Sequence, residues 1–209
     1  MNNVKELQTI EETLRYLQFD NWEQSAPGLA RSYELLGLLG DPQKKLKFVH
    51  IAGTNGKGST AAMLASVLQS AGYRTGLYTS PHLLRFHERM RVNGKEIDDT
   101  SLISLTNAVR NAAERMSEMP TGFEIMTAIA FLYFVQERCD IVSLEVGLGG
   151  RMDSTNVIPA PEVCVVANIG LEHTAILGDT VEKIAAEKCG IIKRGSHAVL
   201  FGQSEGVEN

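Results

Sequence analysis

The sequence predicts an α/β fold: a mostly parallel, P-loop-type sheet flanked by helices, with a small β-hairpin insertion. Three observations carry this expectation. Apolar runs of strand length alternate with helix-length segments along the chain, the pattern of parallel strands joined by crossover helices. The strand runs Phe48 to Ala52, Ile141 to Val146 and Val163 to Asn168 are apolar nearly throughout, as strands covered on both faces are. Most informative, residues 50 to 60 read HIAGTNGKGST: a strand that passes through glycines into a helix.

The elements follow in order. Val4 to Gln18 places Leu7, Ile10, Leu14 and Leu17 on one helical face with charges opposite. Pro27-Gly28 breaks the chain before a second helix, Leu29 to Leu39, which stops at Gly40-Asp41-Pro42. The strand from Phe48 leads through the glycine loop into a helix ending near Ala71, where Gly72 closes it. Tyr73 to Thr79 is the next strand, followed by a Ser80-Pro81-His82 turn. Glu88 to Ile97 alternates around Asn93-Gly94, a strong hairpin signal. Asp99 and Thr100 open a helix to about Met116, and Phe123 to Glu137, apolar on every side, reads as a buried helix. The strand from Ile141 runs into Gly147-Leu148-Gly149-Gly150. After the strand from Val163 come a helix over Val181 to Cys189, closed by Gly190, and a last short strand, His197 to Phe201. There is no internal repeat or low-complexity stretch.

Composition bounds the function. The 209 residues suit one domain, and 44% hydrophobic with 22% charged residues is ordinary for a soluble chain. A net charge of −5 has the wrong sign for general nucleic-acid binding. The start, MNNVKELQTIEETL, has neither the basic nor the apolar region of a secretory signal. The longest uncharged apolar stretch, Ile125 to Val135, is well short of the roughly 20 residues a membrane span needs. Cys139, Cys164 and Cys189 are odd in number and lack metal-ligand spacing, so reduced cysteines and a cytoplasmic location are expected. The polar run GQSEGVEN follows the last strand with no further helix. Residues 1–209 are therefore expected to be an ATP-binding domain incomplete at its C-terminus, from a longer enzyme.

The glycine loop explains itself chemically. Gly53, Gly56 and Gly58 let the backbone curl, amide N–H groups converge, and the helix dipole favours negative charge. Lys57 adds a mobile cation for the outer phosphates, and Ser59 or Thr60 can serve a metal. The spacing departs from GxxxxGK[ST]: two residues separate Gly53 from Gly56, and Gly58 splits Lys57 from Ser59. Thr54, Asn55, Gly56, Lys57, Gly58, Ser59 and Thr60 are the expected phosphate contacts of ATP.

Other candidates sit at strand ends, where ligands gather in such sheets. Glu145 closes an apolar strand just before glycines, a position suited to holding Mg²⁺ beside phosphates, because an unpaired buried carboxylate is costly. Ser80 precedes a turn-fixing proline, and either a plain turn or a hydroxyl aimed at the crevice fits it. His173 follows the run ANIGLEHT, where a satisfied loop histidine is the ordinary case, and Glu172 and Asp179 read equally as solvated. Lys188 lies in AAEKCGII, where a lysine commonly snorkels or caps the helix end. Arg85, in a loop with His82 and His87, can contact a phosphate or carboxylate. No spacing supports a zinc site.

Five blocks, HIAGTNGKGST, TSPHLLRFHERMRVNG, FEIMTAIAF, LEVGLGGRMDSTNV and the run from ANIGLEHT to AEKCGIIK, together resemble the folylpolyglutamate synthase and dihydrofolate synthase family of the Mur ligases. The resemblance runs in order from about residue 4 to residue 201. It implies a Mur ligase central-domain-like fold with a C-terminal Rossmann-like domain absent from these residues. It implies transfer of the ATP γ-phosphate to a carboxylate of folate or dihydropteroate, giving an acyl phosphate that L-glutamate displaces. ATP and two Mg²⁺ ions are the implied cofactors. Residue by residue, Lys57 and its loop match the phosphate binder, Ser80 and Glu145 the first magnesium, and His173 the second. Lys188 matches a lysine that the family carbamylates, so Lys57, Lys188 and His173 are the implied catalytic residues. Thr121, Gly122, Phe123 and Glu124, with Met152, Asp153 and Ser154, match segments that contact the pterin substrate. The full-length form is expected to be a monomer, and the isolated 209 residues are expected to have little ligase activity. Alternatives are a cell-wall Mur ligase, a small-molecule kinase, or a non-catalytic nucleotide-binding remnant; the SPHL turn and the GLGGRMDSTN block favour folate.

Overall fold

The computed structural model describes residues 6–18 and 28–202. Val4, Pro27 and the polar run beyond residue 202 lie outside the described residues. Seven strands form one sheet in the order β4-β3-β2-β5-β1-β6-β7: β1 Phe48–Ala52, β2 Thr75–Tyr78, β3 Met90–Val92, β4 Lys95–Glu96, β5 Ile141–Glu145, β6 Val163–Val166 and β7 His197–Leu200. β2, β5, β1, β6 and β7 run parallel, whereas β3 and β4 are antiparallel. This is the expected mostly parallel sheet with its hairpin. Asn93 at φ 47 and Gly94 at φ 77 make the tight hairpin turn that needs two positive φ values.

The helices are α1 Ile10–Leu17, α2 Ala30–Leu38, α3 Lys57–Ser70, α4 Asp99–Ala113, α5 Gly122–Gln136, α6 Thr174–Leu177 and α7 Val181–Cys189. They cover both sheet faces, but unequally. On one face α3 stands alone, packing Ala61, Leu64, Ala65 and Leu68 on Val49, Ile51 and Leu77. The other face carries α1, α2, α4 and α5 over Phe48, Tyr78, Val142 and Leu144, with α6 and α7 around Val166. α5 is apolar all round because it is buried between sheet and helices, with Phe131 and Phe134 fully enclosed.

Element boundaries differ from the sequence expectation for local reasons. α1 starts at Ile10 rather than Val4 because Thr9 and Glu12 close a capping box there. Leu7 is instead held against α4 by two 2.9 Å hydrogen bonds with the Asn107 amide. α3 starts at Lys57, because Gly56 at φ 81 is its N-cap. Single helical turns at Pro42–Lys45, Phe86–Arg89, Ser154–Val157 and Thr174–Leu177 are too short to leave a periodic signal. The last strand lies at the sheet edge with all four residues exposed.

Candidate active site

The sheet delivers its site at the carboxyl ends of β1, β2, β5 and β6. β1 ends in Gly53, whose φ of 150° and close approach to Ala167 (2.8 Å from an added Cβ to the Ala167 Cβ) leave no room for a side chain. The next residues are tied to the segment after β6. The Thr54 amide donates to the Asn168 carbonyl at 2.7 Å, and the Thr54 hydroxyl donates to the Gly170 carbonyl at 3.0 Å and accepts its N–H at 3.1 Å. The glycine loop is thus held from outside its own sequence. The first amides of α3 have no intrahelical partners, and Lys57 reaches back over them, donating from Nζ to the carbonyls of Gly53 at 2.7 Å and Thr54 at 3.0 Å.

Glu145 pairs in register with Ile51, which places its side chain on the α3 face. There the carboxylate meets Gly58: a Cβ at Gly58 would stand 3.3 Å from Oε2 and 3.4 Å from Oε1. Oε2 accepts the Ser80 N–H at 3.0 Å. The residue is only 4% exposed, so it is not a strand-end charge reaching water. Burial holds its carboxyl above the usual carboxylate range, and the Ser80 amide and the Lys57 charge act against that. Lys57, Gly58, Ser80 and Glu145 therefore share one crevice.

Lys188 enters the same crevice from α7. It is 1% exposed and neither snorkels nor caps; its Nζ donates to the Gly53 carbonyl at 3.0 Å and pairs with the Glu172 carboxylate. Burial lowers its amine from the usual range, Glu172 opposes this, and the nearby Lys57 charge adds to it. Two amines converge on one carbonyl, with a single carboxylate between water and the inner one. Glu172, left open by sequence as a solvated acid, is the residue that reading undervalued. Asp179, by contrast, pairs with Lys183 at the surface. His173 is exposed, in the left-handed region at φ 44, immediately before α6, and no contact joins it to Lys57, Glu145 or Lys188 among the described residues. Among the described residues no three His, Cys, Asp or Glu side chains converge on one point.

The segments assigned to substrate fall into two kinds. Thr121 and Glu124 form the capping box of α5, and Glu124, 5% exposed, also binds Arg31 at 3.1 Å and Ser32 at 3.3 Å. Both side chains are engaged within the fold, while Gly122 starts the helix. Phe123 points the other way, its ring so close to Gly147 that an added Cβ would lie 2.4 Å from Cζ. Asp153 is buried, accepts the Leu148 N–H at 2.8 Å and the Thr155 hydroxyl and amide, and so braces the glycine loop after Glu145. Thr155 in turn meets His50 Nε2 at 2.9 Å; burial, helped by the Lys193 charge, pushes His50 down to about 3, keeping it neutral. Ser154 is buried beside them, and Met152 is 55% exposed. Arg85 meets a carboxylate of the chain itself, Glu96 on the hairpin, and His87 meets Asp99 at 2.8 Å.

Gly150 locks the loop to α7. A Cβ there would lie 2.7 Å from the Glu187 carbonyl and 2.9 Å from the Lys188 carbonyl. Gly150→Ala is expected to destabilise the chain by about 1–3 kcal/mol through overpacking against backbone, read as a lower melting temperature. An unchanged melt would mean that α7 moves aside freely.

The sequence matches the family model described as the Mur ligase middle domain over residues 51–205. It is 50% identical over 174 residues to the dihydrofolate synthase/folylpolyglutamate synthase of Bacillus subtilis, covering 81% of this chain and 40% of that protein. To folylpolyglutamate synthase of Lacticaseibacillus casei it is 42% identical over 193 residues, covering 87% and 45%. Among solved structures, an FPGS–AMPPCP–folate complex superposes with a TM-score of 0.92 at 39% identity, covering 96% of this chain and 50% of that one. E. coli FolC in complex with DHPP and ADP superposes with a TM-score of 0.89 at 37% identity, covering 98% and 49%. The chain spans half or less of the length of these relatives.

Proposed function

The chain belongs to the Mur ligase family, and from that premise we propose that it forms the nucleotide-binding part of an ATP-dependent ligase that adds L-glutamate to folates, and in a bifunctional form to dihydropteroate. The observation that carries the reading is the convergence of Lys57, the α3 amides, Ser80 and the buried Glu145 carboxylate on one crevice. Relatives holding an ATP analogue with folate and ADP with DHPP support it.

In this reading the amides at the start of α3 and Lys57 hold the triphosphate. Lys57 exchanges its two loop carbonyls for phosphate oxygens, which are stronger acceptors. Glu145 and Ser80 fit a divalent ion: Oε1 of Glu145 takes no hydrogen bond among the described residues, and a buried carboxylate with one amide donor needs a counter-charge. Bound there, Mg²⁺ would neutralise phosphate charge as γ-phosphoryl passes to the substrate carboxylate. A second ion would draw on His173 and on Lys188, whose burial and lowered amine suit modification to a carbamate. That negative group would repel Glu172, so the pair seen here belongs to the unmodified lysine. Phe123 and the loop around Met152 to Ser154 offer the surface for a pterin. The full-length enzyme is read as a cytoplasmic monomer.

The test is equilibrium binding. Mg·AMPPCP and folate are both expected to bind, and chelating the metal should weaken AMPPCP by at least about tenfold, or 1.4 kcal/mol. Nucleotide binding indifferent to chelation would remove the metal role of Glu145. Nucleotide binding with no folate binding would remove the folate ligase reading.

A further inference from the structure

The loop after Ser80 carries a cation that the nucleotide site does not use. The Arg89 carbonyl accepts the Thr79 N–H at 3.1 Å, extending the Tyr78–Met90 pairing by one residue. Arg89 therefore stands directly across from the residue before Ser80. Its Nε donates to His82 Nδ1 at 2.9 Å, and its guanidinium lies 5.6 Å from the centre of the Phe86 ring. Glu88 steadies this loop by accepting the N–H groups of Leu83, Leu84 and Arg85 at 2.9 to 3.1 Å. The plane of the guanidinium is thus set, while its terminal nitrogens have no hydrogen-bond partner among the described residues.

Arg31, Arg74, Arg85, Arg91, Arg110 and Arg151 each have a carboxylate within ion-pair reach; Arg89 has none among the described residues. The arginines without an ion pair there are otherwise exposed ones, Arg15, Arg115, Arg138 and Arg194. Arg89 is half-buried, where an unbalanced charge is costly. Its charge reaches the Tyr78 hydroxyl, on which Asp153 and Glu145 act with the opposite sign. A fixed guanidinium with free terminal nitrogens matches the two oxygens of a carboxylate.

We propose that Arg89 anchors a carboxylate of the acyl substrate, the non-reacting one of a folate glutamyl tail. This rests on the ligase reading above and names the group by which that site would select its acid. A reacting carboxylate clamped by both oxygens would have its negative charge drawn to the guanidinium and be a weaker nucleophile toward phosphorus, so the clamp suits the carboxylate that stays. The nucleotide phosphates already have Lys57 and the α3 amides in the reading above.

The test uses isothermal titration of the 209-residue chain with Mg·AMPPCP, then with folate or pteroate, which lacks the glutamyl tail. Wild type is compared with Arg89→Met, which keeps a stem over Phe86, and Arg89→Lys, which keeps the charge. Arg89→Met is expected to weaken folate by about 10- to 100-fold while pteroate and AMPPCP stay within about twofold, as loss of a charged hydrogen-bonded pair predicts; Arg89→Lys should recover part of the loss. Unchanged folate affinity overturns the assignment and leaves the ligase reading standing. Equal losses for folate and pteroate, or a loss for AMPPCP, overturn it in favour of a loop-structural or nucleotide role. Wild type that takes AMPPCP but neither pterin removes the ligase reading and this assignment with it.

Discussion

Replacing Lys57 with alanine is expected to weaken Mg·ATP binding by at least about 100-fold, the effect of losing charge-assisted hydrogen bonds to phosphate. The fold should survive. Among the described residues Lys57 donates only to the Gly53 and Thr54 carbonyls, and Gly53 keeps the Lys188 donor. Losing two such bonds costs about 1–2 kcal/mol, a fall in melting temperature of a few degrees. Titration calorimetry and a thermal melt on the same preparation separate the two effects. A variant that binds nucleotide normally would mean that the α3 amides suffice and that Lys57 is a loop clasp alone. A variant that unfolds would mean the opposite error, a structural lysine mistaken for a ligand contact.

Glu145→Gln should bring two changes of opposite sign: loss of metal-dependent nucleotide binding by about tenfold or more, and a more stable fold at neutral pH. The second follows from the buried carboxyl being held above its usual range. The folded chain then binds that proton more tightly than the unfolded chain does. The group's contribution is fully present below the unfolded value, about 4.3, and is lost as pH rises through the raised folded value. Above that window the wild type carries the whole cost of an ionised buried group, whereas glutamine carries none and can still accept the Ser80 N–H. In chelator, to keep metal out of the comparison, the variant should melt higher at pH 7, and the two should converge near about pH 4. A variant that melts lower at pH 7 would show that Lys57 more than offsets the desolvation of Glu145.

What was legible in the sequence was mostly local. The strand, glycine loop and helix around Lys57 occupy a dozen consecutive residues, and each part has its own physical signature. Glu145 was legible because an acid at the end of an apolar strand has few benign explanations. The helix positions of Thr121 and Glu124 were also on the page, since threonine followed three residues later by glutamate signals a capping box.

Illegible features were those that depend on which distant segments meet. Lys188 read as a helix-end lysine, because nothing in AAEKCGII announces that Gly53 and Glu172 will enclose its amine. In sequence Arg85 reads as the loop cation and Arg89, four residues on, only as part of the hairpin. The fold decides between them, giving Arg85 the Glu96 carboxylate and setting Arg89 across from Thr79, next to Ser80. The His50, Thr155 and Asp153 chain spans a sheet strand and a loop about a hundred residues apart, beyond the reach of any spacing rule.

The most direct measurement is a crystal structure of the chain with AMPPCP and Mn²⁺ in place of Mg²⁺, the ion located by its anomalous signal. The account predicts a peak about 2.0–2.3 Å from a Glu145 carboxylate oxygen and the Ser80 hydroxyl, with the terminal phosphates on the α3 amides and Lys57. A triphosphate bound elsewhere, or an ion that leaves Glu145 in contact only with the Ser80 amide, would contradict it.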